Sequence, residues 1–366
     1  MTKGTVLFCP LDWGIGHATR SVPVIRKFMK SGYRVVIAAD GRPLAFLKKE
    51  FPDCRAIPFP GTKITYQKNH FLALKLFTQI PAFLLGIRKE HRFLKKLVEQ
   101  EKPDIIFSDN RYGAYSRSAY SIFMTHQLHV LPPERLVFLS GFLNRINHSF
   151  IRKFDECWIP DFEFHNGLAG KLSHPPIPIP NLHYLGTLSR FSSEQRFAEA
   201  GIMPVCDLLV MLSGPEPQRT VFENMILKMI EDAGLKAIVV RGKTEDASVQ
   251  ETGNNIRVYS HLPTAEMREA ILQSHLVICR SGYSSIMDLV TLGKQAIFVP
   301  TPGQTEQEYL ATYLKEKKIY FSMAQDKFDL LYAIEMSRNF PGMVLQNDLK
   351  ELQARINAIP VSGQEA

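Results

Sequence analysis

The order in which short apolar runs and longer amphipathic stretches follow one another constrains the fold of this chain more than any other feature. A strand, an amphipathic helix and a second strand form a parallel βαβ unit, because the helix covers the sheet. The alternation therefore predicts an α/β protein with parallel sheets. In the first half the predicted strands are Thr5 to Cys9, Arg34 to Ala39, Asp104 to Ser108, Leu136 to Leu139 and Glu156 to Pro160. In the second half they are Leu208 to Leu212, Ala237 to Arg241, Ile256 to Tyr259, Leu276 to Cys279 and Ala296 to Pro300.

A Pro-rich stretch, His174 to Asn181, separates the two series of strands. A chain of 366 residues exceeds the usual size of one domain. We therefore predict two doubly wound, Rossmann-like domains that face each other across a cleft, over residues 1–186 and 187–340. A final helical pattern from Met343 to Ile359, within residues 341–366, is a candidate to pack back on the first domain.

The cysteines and the apolar runs bear on the compartment. Five cysteines are scattered along the chain without a CxxC pair, which favours a reducing compartment and gives no zinc or redox motif. The first apolar run begins so close to the N-terminus that a signal peptide is not expected. The longest run, Phe71 to Ile87, is interrupted by polar residues and Pro81 and is too broken to span a membrane. These observations predict a cytoplasmic protein.

Positive charge is concentrated between Lys63 and Lys102. This segment holds nine Lys or Arg against three Glu, in a chain whose net charge is +8. Beside leucines and phenylalanines, such charge suits peripheral contact with the inner, anionic face of a membrane, where each basic residue contributes about 1 kcal/mol. A solvated helix face over a core stripe explains the pattern equally well. Nucleic acid is not expected, because neither a binding motif nor an aromatic platform accompanies the charge.

The first predicted strand ends in a glycine turn that contains Gly14, Gly16 and His17. Glycines at a strand-to-helix turn let backbone N–H groups approach an anionic ligand, and the helix dipole favours its charge. Asp40, at the end of the second strand, would suit a nicotinamide ribose. Thr19, however, stands where a dinucleotide-binding turn needs its third glycine. Nicotinamide binding is therefore the second hypothesis for this turn.

His17 lies where a general base could act, since an imidazole takes up a proton near neutral pH. Asp109 follows the strand Asp104 to Ser108, whose carboxyl end should face the same crevice. Asp109 could orient His17 or be the base itself. An imidazole that only fills the turn and an aspartate that caps a helix are the alternatives without a catalytic role.

In the second half, three predicted strands end in polar turns. These turns are Ser213-Gly214, Arg280-Ser281-Gly282 and the segment from Thr301 to Gln307. A helix that starts after Gly282 would present backbone N–H groups to a diphosphate and would carry Asp288 about two turns beyond Ser281. Because parallel strands end at one edge of a sheet, the three turns predict a single anion-binding site.

Several of these residues carry a family resemblance. One pattern in the second half consists of Val277 to Gly282, Asp288, Gly293, Phe298 to Pro300 and Gln307. It resembles the donor domain of the peptidoglycan N-acetylglucosaminyltransferases in glycosyltransferase family 28, which glycosylate a lipid-linked muramoyl pentapeptide. The same stretch is similar to the donor box of UDP-glycosyltransferases. Gly14 to His17 resembles the first-domain glycine loop of this superfamily, and Gly186 to Arg190 resembles its interdomain segment. The resemblance implies a GT-B glycosyltransferase with an acceptor-binding first domain and a nucleotide-sugar-binding second domain.

The resemblance also implies individual roles. His17 would be the base and Asp109 its orienting acid. Contact with the acceptor side would come from Gly14, Gly16, His126 and Gln127. Contact with the donor would come from Arg190, Ser213, Gly214, Arg280, Ser281, Gly282, Asp288, Glu306 and Gln307. Among these, Asp288 would bind the ribose, Glu306 and Gln307 would hold the sugar, and Arg190, Ser213 and Ser281 would surround the diphosphate.

The expected reaction is transfer of a sugar from a nucleoside-diphosphate sugar, with UDP favoured, to an acceptor hydroxyl with inversion. A lipid-linked acceptor is a candidate, although the single glycine pair and Pro215 and Pro217 depart from the family pattern and favour an acceptor other than the peptidoglycan intermediate. No DxD sequence occurs, so neither a metal clamp nor a cofactor is expected. A nucleotide-sugar epimerase and a non-catalytic sugar-nucleotide-binding protein remain alternatives, because a fold does not fix a function.

Overall fold

The structure is a computed structural model, and it describes residues 2–61, 72–175, 179–192, 204–244, 248–252, 255–345 and 347–360. The described chain divides into two compact units. The first contains the described residues within Met1–Ile64, Phe71–Arg190 and Leu349–Ala366, and the second contains those within Phe191–Asp348. These units are defined by contacts within the chain, so the limits of the functional domains at residues 186 and 340 stay a prediction.

The first unit is built on a seven-stranded sheet of parallel strands in the order β3-β2-β1-β4-β5-β6-β7. The strands are β1 (Gly4–Pro10), β2 (Tyr33–Ala39), β3 (Arg55–Pro58), β4 (Ile105–Asp109), β5 (Tyr120–Met124), β6 (Glu156–Ile159) and β7 (Leu182–Tyr184). The predicted strands at β1, β2, β4 and β6 are confirmed. The short strands β3, β5 and β7 were not predicted, because each lacks a long apolar run.

The predicted strand Leu136 to Leu139 is wrong. These residues belong to a 3-10 helix, Glu134–Leu139. In the sheet, β5 already pairs with β4 on one side and with β6 on the other, so no ladder position is open beside it. Without sheet partners, the apolar side chains of Val137 and Phe138 stay exposed.

The helices that precede and follow these strands in the first unit are α1 (Ile15–Lys30), α2 (Gly41–Glu50), α3 (Leu72–Glu101) and α4 (Ser140–Ile151). An aromatic cluster fixes α1 on the sheet. The ring of Phe28 in α1 lies 5.8 Å from that of Phe107 and 6.3 Å from that of Trp158, and Phe8 stacks on Phe107 at 4.6 Å. Burial of each such ring contributes about 1.5–3 kcal/mol. The cluster therefore fixes the C-terminal part of α1 on the sheet.

The second unit is built on another seven-stranded sheet, in the order β10-β11-β9-β8-β12-β13-β14. Its strands are β8 (Cys206–Met211), β9 (Ala237–Val240), β10 (Val249–Thr252), β11 (Ile256–Tyr259), β12 (Ser274–Cys279), β13 (Ala296–Phe298) and β14 (Phe321–Ser322). All pairs are parallel except β10 with β11. The five strands predicted here are confirmed, and the edge strands β10 and β14 were not predicted.

The helices of the second unit are α5 (Gln218–Asp232), α6 (Thr264–Leu272), α7 (Tyr283–Thr291), α8 (Thr305–Glu316) and α9 (Leu330–Ser337). No helix of the described chain is both long and apolar enough to cross a membrane.

The C-terminal helix is shorter than the pattern from Met343 to Ile359 predicts. It is α10 (Lys350–Asn357), and it starts after Leu349, whose φ of 58° is left-handed and breaks any continuous helix. It belongs to the first unit, where Gln353 Nε2 donates to Ser31 Oγ at 2.9 Å.

Each sheet changes its direction of winding at one place. In the first unit the strand order runs outward from β1 on one side and from β4 on the other, and in the second from β8 and from β12. Ligands of open parallel sheets bind beyond the carboxyl ends of the strands at such a switch point. Each unit therefore has one favoured place for a functional site.

Candidate active site

His17 and Asp109 meet at the switch point of the first unit. Pro10 at the end of β1 pairs with Asp109 at the end of β4, and the next residue, Leu11, donates its N–H to the carbonyl of Asp109 at 3.0 Å. The chain then turns at Gly14, whose φ of 116° suits a residue without Cβ, and enters α1. His17 lies in the first turn of α1, with Nδ1 3.1 Å from Asp109 Oδ1. Asp109 caps no helix here and is fully buried.

Arg20 is the residue of this site that the sequence analysis missed. Its side chain is 2% exposed. Its Nε donates to Asp109 Oδ2 at 2.8 Å and lies 3.1 Å from Oδ1, and its Nη2 also contacts Oδ1. The spacing offered a signal, because an arginine three residues after a histidine lies on the same helix face.

The pKa values of the pair reflect burial and these charges. Burial alone would raise the pKa of Asp109, but the charges and hydrogen bonds of Arg20 and His17 outweigh it and lower the pKa to about 2. Burial lowers the pKa of His17, Asp109 opposes this effect, and the charge of Arg20 adds to it. At neutral pH, His17 is therefore a neutral imidazole beside an ionised carboxylate, which is the state that a general base requires.

The other residues predicted on the acceptor side lie in the same unit. Gly14 and Gly16 belong to the turn before His17 and to the first turn of α1. His126 follows β5 and is buried, with Nδ1 3.0 Å from Arg20 Nη1. Gln127 is held through its backbone, because its N–H donates to Thr125 Oγ1 at 3.0 Å and its carbonyl accepts from Asn147 Nδ2 at 3.0 Å. The structure thus joins His126 to His17 and Asp109 through Arg20.

In the second unit, three polar loops follow neighbouring strands at the switch point. Ser213 and Gly214 follow β8, residues 280–282 follow β12, and residues 299–304 follow β13. Ser281 Oγ donates to the carbonyl of Gln307 at 2.7 Å, and Gln307 Oε1 accepts from the N–H of Thr301 at 2.8 Å. These bonds join the N-terminal ends of α7 and α8. Neither Gly282 nor Gln304, the residues before the two helices, caps its helix with a side chain.

Arg280 and Ser281 were predicted to contact the donor, but both side chains are fully buried. Arg280 Nη1 donates to the carbonyls of Val299 and Pro300 at 2.9 and 3.1 Å, and its guanidinium lies 4.3 Å from the ring centre of Phe222. Burial lowers its pKa to about 10, so it stays cationic at neutral pH. The Arg280 side chain thus holds the loop after β13, and its contact with the donor stays a prediction.

Thr301 is a second residue that the sequence analysis did not assign. It is 2% exposed, and its hydroxyl has no hydrogen-bond partner within the described part of the chain. A Cβ on Gly214 would lie 3.3 Å from this hydroxyl. The Thr301 hydroxyl thus lies close to the glycine of the β8 loop, and a Cβ at that position would be in tight contact with it.

The remaining predicted residues fall in two places. Asp288 is buried in α7, and Glu306 and Gln307 lie half-buried in the first turn of α8. Arg190 clusters with the first unit, where its carbonyl accepts from Arg26 Nη1 at 3.5 Å.

Asp40, on which the nicotinamide hypothesis rested, caps α2 by accepting from the N–H of Gly41 at 2.9 Å. The described residues contain no group of three or more His, Cys, Asp or Glu side chains that could hold a metal ion.

Solved structures share this architecture. The glycosyltransferase of kitacinnamycin superposes with a TM-score of 0.63 at 14% identity, covering 97% of this chain and 95% of that one. Spinosyn rhamnosyltransferase gives a TM-score of 0.63 at 14% identity, with 97% of both chains covered. With its two parallel α/β sheets, the protein therefore has the GT-B fold of glycosyltransferases.

Sequence comparisons identify the family. Residues 219–336 match the glycosyltransferase family 28 C-terminal domain, and residues 5–132 match glycosyl transferase family 1. The UDP-N-acetylglucosamine–N-acetylmuramyl-(pentapeptide) pyrophosphoryl-undecaprenol N-acetylglucosamine transferase of Glaesserella parasuis is 30% identical over 95% of this chain and 93% of its own length. The chain belongs to the glycosyltransferase family that contains this transferase.

Other relatives are more distant. The same-named transferase of Desulfitobacterium hafniense is 25% identical, and the match spans 61% of this chain and 61% of that relative. An uncharacterized glycosyltransferase of Methanosarcina acetivorans is 22% identical over 83% of this chain and 81% of its own length.

Proposed function

We propose that the protein transfers a sugar from a nucleoside-diphosphate sugar, with a UDP-sugar favoured, to an acceptor hydroxyl with inversion and without a metal ion. The observation that carries the proposal is the contact of 3.1 Å between His17 Nδ1 and Asp109 Oδ1 at the switch point of the first unit. A carboxylate on Nδ1 leaves Nε2 of a neutral imidazole available as a base.

In this mechanism His17 Nε2 takes the proton of the acceptor hydroxyl. The acceptor oxygen forms a bond to the anomeric carbon as the bond from that carbon to the diphosphate oxygen breaks. The nucleoside diphosphate leaves with the electron pair, and attack from the opposite face inverts the anomeric centre. Asp109 orients His17 and stabilises the imidazolium that forms, as a buried carboxylate does in other base-assisted transfers.

The loops of the second unit support binding of the diphosphate. The N-terminal ends of α7 and α8, which carry backbone N–H groups, are joined through Ser281 and Gln307. Such N–H groups and the helix dipole stabilise a phosphate. The exposed Gly214 after β8 leaves room for close approach of an anion. In this proposal the leaving group is stabilised by fixed dipoles.

A donor screen tests the proposal directly. The protein is first heated with UDP-, GDP- and TDP-sugars, because a ligand that binds only the native state raises the apparent melting temperature. The stabilising donor is then incubated with candidate acceptors, among them the lipid-linked muramoyl pentapeptide that the relatives' names specify. We expect release of nucleoside diphosphate that depends on the acceptor. Conversion of the donor into another free nucleotide sugar without acceptor would contradict transfer and support an epimerase.

Asp288 gives a prediction for donor recognition. It is 5% exposed and lies in α7, whose start we propose at the diphosphate. Loss of one hydrogen bond from a charged group costs about 1.5–3 kcal/mol. Asp288→Asn should therefore raise the donor KM about 10- to 100-fold with little change in kcat. Glu316→Gln, on an exposed acid at the end of α8, is the control. An unchanged donor KM in Asp288→Asn would remove Asp288 from the donor site.

A lipid-linked acceptor would bring the protein to a membrane, and surface features of the first unit support this part of the proposal. Among the exposed large apolar side chains, four lie on α3, on the 3-10 helix Glu134–Leu139 and on α4: Leu85, Val137, Phe138 and Phe142, at 54%, 58%, 78% and 57%. Within residues 81–101 of α3, whose side chains the structure describes, the exposed basic residues are Arg88, Lys89, Arg92, Lys95 and Lys96. Tyr112 connects α3 to α4, because its ring contacts Phe83 and its hydroxyl donates to Asn147. Apolar side chains beside basic ones favour peripheral binding to anionic lipid at the cytoplasmic face.

Vesicle flotation tests this surface. We expect the protein to bind anionic vesicles at low salt and to bind less at high salt, because screening weakens the attraction between charges. Phe138→Ser together with Phe142→Ser should weaken binding about tenfold or more, since each phenylalanine contributes about 1.5–3 kcal/mol when buried. Phe164→Ser is the matched control, because Phe164 is 62% exposed on another loop of the same unit. Failure to float at either salt concentration would contradict membrane contact.

A further inference from the structure

Arg20 has an unusual position for a cation. It is 2% exposed, and its guanidinium faces three titratable groups from three elements. Asp109 contacts it from the end of β4, His17 from one turn earlier on α1, and His126 from the loop after β5. A buried arginine that held only the fold would need one counter-ion, but this one also reaches both imidazoles.

Arg20 and Asp109 share one nitrogen of His17. Nδ1 of His17 lies 2.9 Å from Arg20 Nη2 and 3.1 Å from Asp109 Oδ1. A guanidinium only donates hydrogen bonds, and a carboxylate only accepts them. With its proton on Nδ1, the neutral imidazole donates to Asp109. With its proton on Nε2, it accepts from Arg20. Both neutral tautomers therefore find a partner without movement of the heavy atoms.

The doubly protonated imidazole is not accommodated in the same way. An imidazolium carries N–H on both nitrogens and accepts at neither, so it cannot accept from Arg20, and it adds a positive charge that the neutral Nδ1–H tautomer lacks. The imidazolium and the guanidinium of Arg20 would then be two cations beside the single carboxylate of Asp109, which Arg20 already contacts through Nε and Nη2. His126, whose Nδ1 lies 3.0 Å from Arg20 Nη1, adds no negative charge, because an imidazole is either neutral or cationic. The free protein therefore favours neutral His17.

We propose that Arg20 is a positioning residue for the transfer reaction: it fixes Asp109 and balances part of its charge, so that His17 stays a neutral base in the free enzyme. This inference rests on the proposed function of His17. It explains why a cation lies beside a base that must itself become cationic during the reaction. Asp109 can then orient the imidazole without promoting its protonation by solvent before the acceptor arrives. The low pKa of Asp109 and the lowered pKa of His17 agree with this geometry.

The pH dependence of kcat/KM separates this role from a purely structural one. His17 must be neutral to accept a proton, so kcat/KM rises as the pH passes through the pKa of His17 in the free enzyme. Arg20→Met leaves Asp109 without its cation, which raises the pKa of His17 and moves the rising limb to higher pH. Below that limb we expect kcat/KM to fall about tenfold or more relative to the wild type. Arg20→Lys keeps the charge and should keep the limb near its wild-type position.

A control arginine lies on the same helix. Arg26 pairs with Glu50, and its side chain is 43% exposed. Arg26→Met should leave the pH profile unchanged. If Arg20→Met lowers kcat/KM by the same factor at every pH, Arg20 supports the fold only and the proposal is wrong.

A titration of His17 by NMR in the unliganded protein tests the proposal without any turnover. We expect the His17 signal to titrate at higher pH in Arg20→Met than in the wild type. The double variant Arg20→Met with Asp109→Asn should reverse that change, and it removes both buried charges together, so it leaves neither of them unpaired. Identical titration in the wild type and the double and single variants would overturn the role of Arg20. If the His17 signal shifts between the variants as expected but no sugar transfer is detected, the proposed function is overturned instead.

Discussion

His17→Ala should lower kcat about 100- to 10,000-fold, the range that a general base contributes. The imidazole is the group that takes the acceptor proton, and the described residues place no other imidazole on Asp109. Donor binding should be unchanged, because the predicted donor residues other than Arg190 lie in the second unit. The measurement is nucleoside-diphosphate release at saturating donor and acceptor, with donor affinity measured separately by calorimetry.

The control for this variant is His165→Ala, an exposed histidine of the same unit. The loss in His17→Ala should also remove the rising limb of the pH profile, since that limb reports protonation of His17. Turnover by His17→Ala within about twofold of the wild type would show that His17 is not the base. Asp109, which could be the base itself on sequence grounds, would then be the next residue to replace.

Arg280→Met should destabilise the second unit and weaken donor binding together. Arg280 donates to the carbonyls of Val299, Pro300 and Gln218 from a fully buried position. Each buried carbonyl left without a donor costs about 1–3 kcal/mol. Methionine keeps much of the packing on Phe222 but donates no hydrogen bond. Urea unfolding measures the loss of stability, and calorimetry measures the loss of donor affinity.

Arg257→Met on β11 is the control, because the Arg257 side chain is exposed. It should change the free energy of unfolding by no more than about 0.5 kcal/mol. If Arg280→Met unfolds like the wild type but loses donor binding, Arg280 contacts the donor directly, as the family resemblance implies. If stability and donor binding are both unchanged, the loop after β13 does not depend on Arg280.

Most of the fold could be predicted from hydrophobic patterning. The strands whose apolar runs are long enough to be recognised, such as β1 and β12, are present nearly as predicted. The strands that were predicted wrongly or missed also have physical explanations. The segment Leu136 to Leu139 has the composition of a strand but no partner in the sheet, and β7 and β14 are short edge strands that their neighbours stabilise. Pairing in a sheet depends on residues that are distant in sequence, and a local pattern does not contain them.

The candidate site was predicted to a similar extent. The sequence indicated His17 and Asp109 because each follows an apolar run that ends in a turn. It did not indicate that Arg280 points inward, or that Thr301 places a buried hydroxyl against Gly214. The predicted domain limits also placed Arg190 in the second domain, whereas in the structure Arg190 belongs to the first unit. The direction of a side chain is decided by packing, which composition and spacing do not describe.

The sequence by itself determined that this protein has two parallel α/β halves, that each half ends its strands in polar turns, and that those turns resemble a glycosyltransferase. Only the tertiary structure decided what meets at the turns. The pairing of Pro10 with Asp109 brings His17 into contact with Asp109, which lies 92 positions further along the chain, and Arg20 is buried against both. The physical reason is that hydrophobic periodicity is local along the chain, whereas the burial and pairing of charges depend on which strands become neighbours.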